Sequence, residues 1–379
     1  KDLLPQLALL SAQVPAGPDW LHEIKFDGYR TLTTVKKKAV TFLTRSGLDW
    51  TEKYQAFEKD FKNLKIDNAI FDGEIVALNE KGQSNFSDLQ IALHENDFGN
   101  VAYYLFDLLY LNGEDLRQQP LELRKQKLKE ILGSKANSKG KLRFSEHFRA
   151  QGKELFTQAC HEGLEGIVSK NRNLSYHSGR NDDWKKIKCS QRQEFVIGGY
   201  TDPEGSRIGF GSLLMGVYDQ GKFRYIGRVG TGFNSKLLGE LTEKLKALQS
   251  TKSPFTVAGP KEKTKIHWVK PKLVAEIEFK TWTNDKILRH ASFQGLREDK
   301  KADEVHIESP QASTSQKKSS SSAISQKSGF KITHPERLIY PEQKITKLDI
   351  ANYYQSVAPW LLEHLTNRPL ALIRCPEGT

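Results

Sequence analysis

The chain has 379 residues, and its 58 Lys and Arg against 46 Asp and Glu give a formal net charge of +12. This length predicts two to three domains, and the basic excess favours nucleic acid or another polyanion as the partner. No apolar run approaches the roughly 18 residues that a membrane span needs. Pro5 and Gln6 interrupt the apolar opening, which argues against a signal peptide. Because the first residue is Lys1 rather than Met, we expect a fragment or a processed product.

The cysteines and histidines exclude several kinds of site. Cys160, Cys189 and Cys375 are far apart, and no CxxC pair or HExxH motif is present. This spacing argues against a structural zinc site and a zinc protease, and no Ser/His/Asp set stands out. We therefore expect lone core thiols in a reducing cytoplasm.

The first 191 residues mix strand and helix patterns. Period-two alternation predicts strands and helical spacing predicts helices in the following ranges: strands within 20–45, 69–78, 101–113 and 165–170, and helices within 51–64, 121–132 and 152–163. Hairpin-like turns join many neighbouring strands. The pattern therefore predicts an α+β domain with antiparallel sheets rather than a doubly wound parallel sheet.

The remaining chain divides into three parts. Residues 192–305 contain about five short strands and one helix, which predicts a small Greek-key barrel, in particular an all-β OB-fold domain. Residues 306–329 are rich in Ser and Lys and predict a flexible linker. From residue 330 a new element set begins, with a helix capped by Thr346 and bent or ended by Pro359, and we expect the truncated start of another domain.

A series of short motifs follows KFDGYR (25–30), which alone is typical of a strand end followed by an Asp-Gly turn. In chain order these motifs are TRSG (44–47), FDGE (71–74), YYLFDLLYLNG (103–113), EGIVSK (165–170), WKKIK (184–188) and LREDK (296–300). The series resembles the covalent nucleotidyltransferase superfamily of ATP-dependent DNA ligases and mRNA-capping enzymes. It is most similar to the bacterial ligase D family of end-joining ligases, and residues 330–379 resemble the opening of that family's polymerase domain.

The resemblance implies that Lys25 attacks the α-phosphate of ATP and becomes a lysyl-AMP phosphoramidate. Only a neutral amine is nucleophilic, so we expect desolvation and nearby cations to depress the pKa of Lys25. Lys186 and Lys188 join it as catalytic residues, because alternation along a strand places both on one face. Glu165 is the first candidate for a metal ligand and Glu74 the second.

The resemblance also implies a set of nucleotide-binding residues. Glu23 meets the adenine edge, Phe106 stacks on the ring, and Glu74 holds the ribose hydroxyls or an outer metal water. Cationic residues contact the ribose, the phosphates or the DNA, and Arg297 and Lys300 orient pyrophosphate. The complete cofactor-binding set is Glu23, Arg30, Arg45, Glu74, Phe106, Lys170, Lys186, Lys188, Arg297 and Lys300.

The resemblance implies an ATP-dependent DNA ligase that seals nicks or breaks in double-strand break repair by end joining. ATP and Mg²⁺ or Mn²⁺ are the expected cofactors. Double-stranded DNA with nicks or ends is the expected partner, together with a Ku-type end-binding protein, for a monomer at the bacterial nucleoid. Two alternatives stay open: RNA ligation or capping, and a DNA-end-binding scaffold with vestigial motifs. We expect no polymerase activity from the terminal segment.

Overall fold

The computed structural model describes residues 4–133, 140–203, 205, 208–257, 259–260, 265–283, 285–308, 336–340 and 345–354. The chain forms two compact units, Lys1–Ser313 and Thr314–Thr379. Among the described residues, no helix is long and apolar enough to cross a membrane.

The first part of unit 1 contains eleven described strands and four α-helices. The strands are β1 Gln6–Leu10, β2 Trp20–Ile24, β3 Tyr29–Lys36, β4 Ala39–Thr44, β5 Asn68–Ala77, β6 Val101–Leu111, β7 Glu114–Asp115, β8 Leu142–Phe144, β9 His147–Arg149, β10 Gly166–Asn171 and β11 Gly179–Lys188. The helices are α1 Glu58–Lys62, preceded by a 3-10 turn at Gln55–Phe57, α2 Phe86–Glu95, α3 Leu121–Leu132 and α4 Gly152–His161.

These strands form two sheets that are largely antiparallel, as predicted. One sheet has the order β1-β11-β10-β2-β9. The other has the order β4-β3-β5-β6-β7, with β8 paired to β6. Two pairings, β1 with β11 and β6 with β8, are parallel. An aromatic-rich core lies on the second sheet and includes Phe42, Phe57, Phe61, Phe71 and Tyr103.

Lys25 lies at the crossing between the two sheets. The strand β2 belongs to one sheet and ends at Ile24, and β3 belongs to the other and begins at Tyr29. The turn between them requires glycine, because a Cβ on Gly28 would lie 2.1 Å from the carbonyl oxygen of Ile75. The Lys25 N–H donates to the Gly166 carbonyl oxygen at 2.9 Å, which fixes the backbone of the lysine. The lysine therefore does not interrupt a buried strand but follows its end.

The second part of unit 1 is a mainly antiparallel sheet with one α-helix. Its strands are β12 Gln191–Thr201, β13 Leu213–Asp219, β14 Lys222–Val229, β15 Gln249–Ser250, β16 Ile266–Val269, β17 Val274–Phe279 and β20 Ser292–Leu296, with β18 Thr281–Trp282 and β19 Leu288–Arg289 as a separate pair. The helix is α5 Ser235–Ala247, and a 3-10 turn spans Ala302–Glu304. This part packs on the first, since Ser87 and Gln90 of α2 donate side-chain hydrogen bonds to Gln294 and Leu296 carbonyls.

The structure differs from the sequence expectations at several elements. The helix expected over 51–64 is shorter, because residues 51–54 form turns that pack Tyr54 into the core. The apolar opening contains β1, and α2 was not anticipated. The expectation of three lone thiols is wrong for Cys160 and Cys189, which form a disulfide with a sequence separation of 29. Cys375 lies outside the described residues.

Within unit 2, the described residues form β21 Leu338–Tyr340, β22 Ile345–Thr346 and a helical segment over 347–354. The Asp349 N–H donates to the Thr346 hydroxyl at 3.2 Å, while the Thr346 backbone N–H donates to the Asp349 carboxylate at 2.8 Å. This reciprocal cap confirms Thr346 as the start of a helix. Most of the expected linker, Pro359 and the strand after it lie outside the described residues.

Candidate active site

One cavity lies where the two sheets of the first part meet the sheet of the second part. All twelve residues that the sequence predicted for the site line it: Glu23, Lys25, Arg30, Arg45, Glu74, Phe106, Glu165, Lys170, Lys186, Lys188, Arg297 and Lys300. They come from segments spread over 278 positions, from residue 23 to residue 300. Their convergence is therefore a property of the fold rather than of any one motif.

Lys25 is paired with a carboxylate at the centre of this cavity. Its Nζ lies 2.6 Å from Oε2 of Glu165, whose side chain is only 3% exposed. Burial alone would lower the pKa of Lys25, but the carboxylates of Glu165 and Glu74 outweigh burial and raise it. The expectation of a depressed pKa is therefore wrong for this arrangement, since carboxylates rather than cations are nearest to the amine.

Two further carboxyl groups, the half-buried Glu74 and the buried Asp27, line the same cavity. Burial raises the pKa of Glu74 to about 7 against the opposing effects of Lys25 and Arg30. Burial together with Glu276 and Glu165 raises the pKa of Asp27 to about 7. An added positive charge nearby would therefore stabilise the ionised form of each carboxyl group.

The carboxylates of Glu165 and Glu74 suit a divalent cation that also binds phosphate oxygens. No described group of three or more His, Cys, Asp or Glu side chains is arranged to hold a metal by itself. Glu165 and Glu74 nevertheless line one cavity with Lys25. Because Mg²⁺ is usually bound by one or two carboxylates with phosphate oxygens and waters, this donor set suits a cation that arrives with a nucleotide.

The aromatic end of the cavity is lined by Glu23, Phe106, Lys170 and Trp184, and Lys125 pairs with Glu23. Lys125 and Lys170 donate to the two oxygens of Glu23 at 2.9 and 3.0 Å, and all three side chains are at most 3% exposed. Burial would raise the pKa of Glu23, but the two lysines hold it at about 2. Lys170 Nζ in turn lies 3.9 Å from the centroid of the Phe106 ring. Glu23 therefore fixes the position of Lys170. That lysine lies over the ring of Phe106, the residue expected to stack on adenine.

The two arginines of the early motifs differ in their freedom. Arg30 donates to both oxygens of Asp72 at 2.5 and 2.6 Å and lies 4.4 Å above the Phe106 ring. Arg45 lines the cavity but forms no ion pair with the described residues. Burial lowers the pKa of Arg45. Asp72 thus holds Arg30 in place at the side of the cavity, whereas Arg45 is a cation available to an anionic ligand.

The lysine end of the cavity is lined by Arg180, Lys186 and Lys188, and Glu308 contacts all three of them. β10 and β11 pair Val168 with Lys186 and Gly166 with Lys188, so both lysines project from one face of the strand. Burial and the neighbouring Lys188 lower the pKa of Lys186 to about 7, although Glu308 opposes this. Keeping the ammonium groups of Lys186 and Lys188 both charged and close together is thus unfavourable unless an anion lies beside them.

Arg297 and Lys300 reach the cavity from the second part of unit 1. Arg297 donates to Asp299 twice at 2.9 Å and to Glu276 at 3.2 Å. Lys300 is paired with Glu194, and burial and Arg45 lower its pKa to about 8. Both cations of the last motif are therefore held at the cavity by carboxylates of the second part, namely Asp299, Glu276 and Glu194.

Comparison with known proteins agrees with this geometry. Residues 7–188 match the family model of the ATP dependent DNA ligase domain, and residues 206–300 match the model of the ATP dependent DNA ligase C terminal region. Residues 346–379 match the LigD primase-polymerase domain. The chain belongs to the ATP-dependent DNA ligase family. The resemblance of its motifs to this family is thereby confirmed, and the first part has the antiparallel sheets of the family's adenylation domain.

Individual relatives point to one branch of the ligase family. The multifunctional non-homologous end joining protein LigD of Pseudomonas aeruginosa is 39% identical over 99% of this chain and 45% of its own length. A LigD protein of Mycobacterium tuberculosis is 38% identical over 76% of this chain and 37% of its own length. The solved structure of a mycobacterial DNA ligase D complexed with ATP and MES is 35% identical, with a TM-score of 0.61, and the match covers 81% of this chain and 98% of that one. The chain thus spans less than half the length of these curated relatives.

Several residues that line this cavity or contact its lining were not singled out from the sequence. Lys125 lies in a helix whose pattern looks amphipathic, and Trp184 was noted only as part of WKKIK. Glu308 lies beyond the last motif, next to the Ser-rich stretch. A signal did exist for Lys125, because a carboxylate such as Glu23 in a buried strand needs a buried cation. Glu308 carries no such signal.

Proposed function

We propose that this chain catalyses ATP-dependent sealing of DNA strands through a covalent AMP on Lys25. The observation that carries the proposal is the position of Lys25, whose amine lies in one cavity with the carboxylates of Glu165 and Glu74 and with cations from four later motifs, TRSG, EGIVSK, WKKIK and LREDK. This is the set of groups that attack on a triphosphate requires: a nucleophile, cations for the shifting phosphate charge, and a ring for the base.

The first step forms the lysyl-AMP. The neutral amine of Lys25 attacks the α-phosphorus of ATP, the N–P bond forms, the bond to the bridging oxygen breaks, and pyrophosphate leaves. The ammonium form of Lys25, which its ion pair with Glu165 favours, first loses one proton to solvent to become the neutral amine. The nitrogen loses a second proton to solvent when the N–P bond forms. Glu165 and Glu74 would hold Mg²⁺ or Mn²⁺, which supplies positive charge to these carboxylates and the phosphate oxygens. Lys186, Lys188 and Arg45 stabilise the charge that develops on the phosphates.

The next two steps transfer AMP and join the strands. A 5′-phosphate oxygen of DNA attacks the lysyl-AMP phosphorus, and Lys25 leaves and regains a proton. A 3′-hydroxyl then attacks the activated 5′-phosphorus, loses its proton and releases AMP. The net charge of +12 supports binding to the phosphate backbone without dependence on sequence. We assign the sheet of the second part to the OB-fold class, which would place it across the duplex as a clamp.

The test is transfer of label from α-labelled ATP in the presence of magnesium. Wild-type chain should become labelled and seal nicked duplex DNA, whereas Lys25→Arg should do neither while keeping the charge beside Glu165. Lys36→Ala is the matched control, since that exposed lysine lies at the end of β3 outside the cavity. Labelling of Lys25→Arg would refute the proposal. Labelling by GTP without sealing would indicate a capping enzyme, and DNA binding without labelling would indicate a scaffold.

The biological setting follows from the relatives named as end-joining proteins. We propose that the substrates are ends and nicks of double-stranded DNA in the bacterial nucleoid, sealed by a monomer that a Ku-type end-binding protein recruits. Joining of a linear plasmid by the chain, with and without such a protein, tests this role. Sealing confined to nicks under both conditions would contradict it.

A further inference from the structure

The chain returns to the cavity after its last recognised motif. Val305 is buried in the core of the second part, and Ile307 packs against the same core. Gln193 then holds the backbone of Glu308 from both sides: its side-chain amide donates to the Glu308 carbonyl oxygen at 2.7 Å, and the Glu308 N–H donates to its side-chain oxygen at 3.2 Å. The position of Glu308 is therefore fixed by specific bonds.

The carboxylate of Glu308 lies among the cations of the lysine end. Its Oε1 is 2.5 Å from Lys186 Nζ and 3.3 Å from Arg180, and its Oε2 is 3.9 Å from Lys188. The side chain is only 14% exposed. Burial would raise the pKa of Glu308, but Lys186 and Lys188 hold it at about 2, so the group is an anion at neutral pH. The carboxylate of Glu308 is thus paired with the ammonium groups of Lys186 and Lys188, to which we assign the binding of the ATP phosphates.

We propose that Glu308 is an internal substitute for substrate phosphate, which competes with the polyphosphate of ATP and with pyrophosphate for Lys186 and Lys188. This inference rests on the proposed function. When ATP binds, the carboxylate must leave the lysines; after pyrophosphate departs, it can return and neutralise them. Glu308 therefore weakens ATP binding and protects the lysyl-AMP from the reverse reaction, in which pyrophosphate attacks the α-phosphorus, the N–P bond breaks and ATP re-forms with Lys25 regaining a proton.

The alternative role for Glu308 is to position the two lysines for ATP. The two roles predict opposite signs. If Glu308 competes, its neutralisation should strengthen the binding of ATP and pyrophosphate, because the competent state no longer has to displace a carboxylate. If Glu308 positions the lysines, its neutralisation should weaken both.

The experiment uses the full chain with Glu308→Gln, and Glu304→Gln as the matched control. Glu304 is exposed on the same segment, four residues earlier. Labelling by ATP with magnesium should reach half-saturation at about one fifth of the wild-type ATP concentration or less in Glu308→Gln, as expected if one fifth or less of the wild-type molecules have the lysines open. Glu304→Gln should match the wild type. Pre-labelled Glu308→Gln should also lose its AMP at lower pyrophosphate concentrations.

A second measurement separates this inference from the proposed function. Calorimetric titration of inorganic pyrophosphate into unlabelled chain reports the competition without any catalysis, and Glu308→Gln should bind it more tightly than the wild type. Glu308→Asp, with a shorter carboxylate, should lie between the two. Equal or weaker binding by Glu308→Gln, with an unchanged thermal unfolding curve, would overturn the inference. If no chain becomes labelled, the proposed function fails and the pyrophosphate titration alone decides the role of Glu308.

Discussion

The two ends of the cavity neutralise their lysines in different ways. At the aromatic end, Glu23 pairs with Lys125 and Lys170, and all three side chains are at most 3% exposed and belong to the first part of unit 1. At the lysine end, the partner of Lys186 is Glu308, which follows the second part and is 14% exposed. The comparison indicates that the charges at the aromatic end are permanently compensated, whereas those at the lysine end are compensated by a group that a ligand can replace.

The largest expected effect is on the stability of the aromatic end. Glu23→Gln leaves Lys125 and Lys170 buried without their carboxylate, which should cost about 3 to 5 kcal/mol of the free energy of unfolding at pH 7. Glu146→Gln is the matched control, because Glu146 forms an exposed ion pair with Lys129 and such pairs contribute about 0 to 1 kcal/mol. Chemical denaturation measures both. If Glu23→Gln loses no more unfolding free energy than Glu146→Gln, the carboxylate at the aromatic end can be replaced as readily as Glu308 at the lysine end.

The same substitution has a defined pH dependence. The pKa of Glu23 is about 2 in the folded protein against 4.5 as the ordinary value. A depressed folded pKa stabilises the fold above the unfolded pKa, and this stabilisation is lost as the pH falls from about 4.5 to about 2. The stability difference between wild type and Glu23→Gln should therefore narrow when denaturation is repeated at pH 3.

A disulfide should support the outer side of the lysine end. Cys189 directly follows Lys188, and its bond to Cys160 ties the end of β11 to α4. A closed loop of this size should stabilise the fold by about 3.5 kcal/mol through the entropy of the unfolded chain. Adding a reductant should therefore lower the unfolding free energy of the wild type but not of Cys160→Ser.

Cys375→Ser controls for the third thiol and should respond to reductant like the wild type. Equal stability with and without reductant in every chain, together with three free thiols by mass spectrometry, would show that the bond does not form.

Local patterns predicted much of the fold, and the family resemblance of the motifs predicted residues that the fold brings together in one cavity. Alternation and hairpin turns predicted the antiparallel strands, and the resemblance of the ordered motifs to the ligase family predicted Lys25 and the eleven other residues that line the cavity with it. The parallel pairing of β1 with β11 was missed because it joins segments about 170 residues apart and neither has a local signal for the other. The same holds for Glu308, which contacts Lys186 across 122 positions.

Other omissions arose where burial reverses the usual meaning of a residue type. Arg124 and Lys125 lie on α3, where charged residues would ordinarily face solvent, yet both are at most 1% exposed. Each compensates a carboxylate on a buried strand, Asp107 for Arg124 and Glu23 for Lys125. A search for cations that match the buried acids would have found both, whereas the disulfide and Glu308 required the folded chain.

The smallest expected effect concerns the reactivity of Lys25 between the two ends. Glu165 and Glu74 raise the pKa of the Lys25 amine, so removal of one carboxylate should lower it and increase the neutral fraction at pH 8. Glu165→Gln should therefore be acetylated at Lys25 several-fold faster than the wild type in the absence of nucleotide and metal, as measured by mass spectrometry of the peptide. Glu162→Gln, an exposed change three residues earlier, should leave the rate unchanged. Slower acetylation in Glu165→Gln would mean that Glu165 does not raise the pKa of this amine. Faster acetylation would show that a carboxylate compensates the nucleophile, as carboxylates compensate the lysines at both ends.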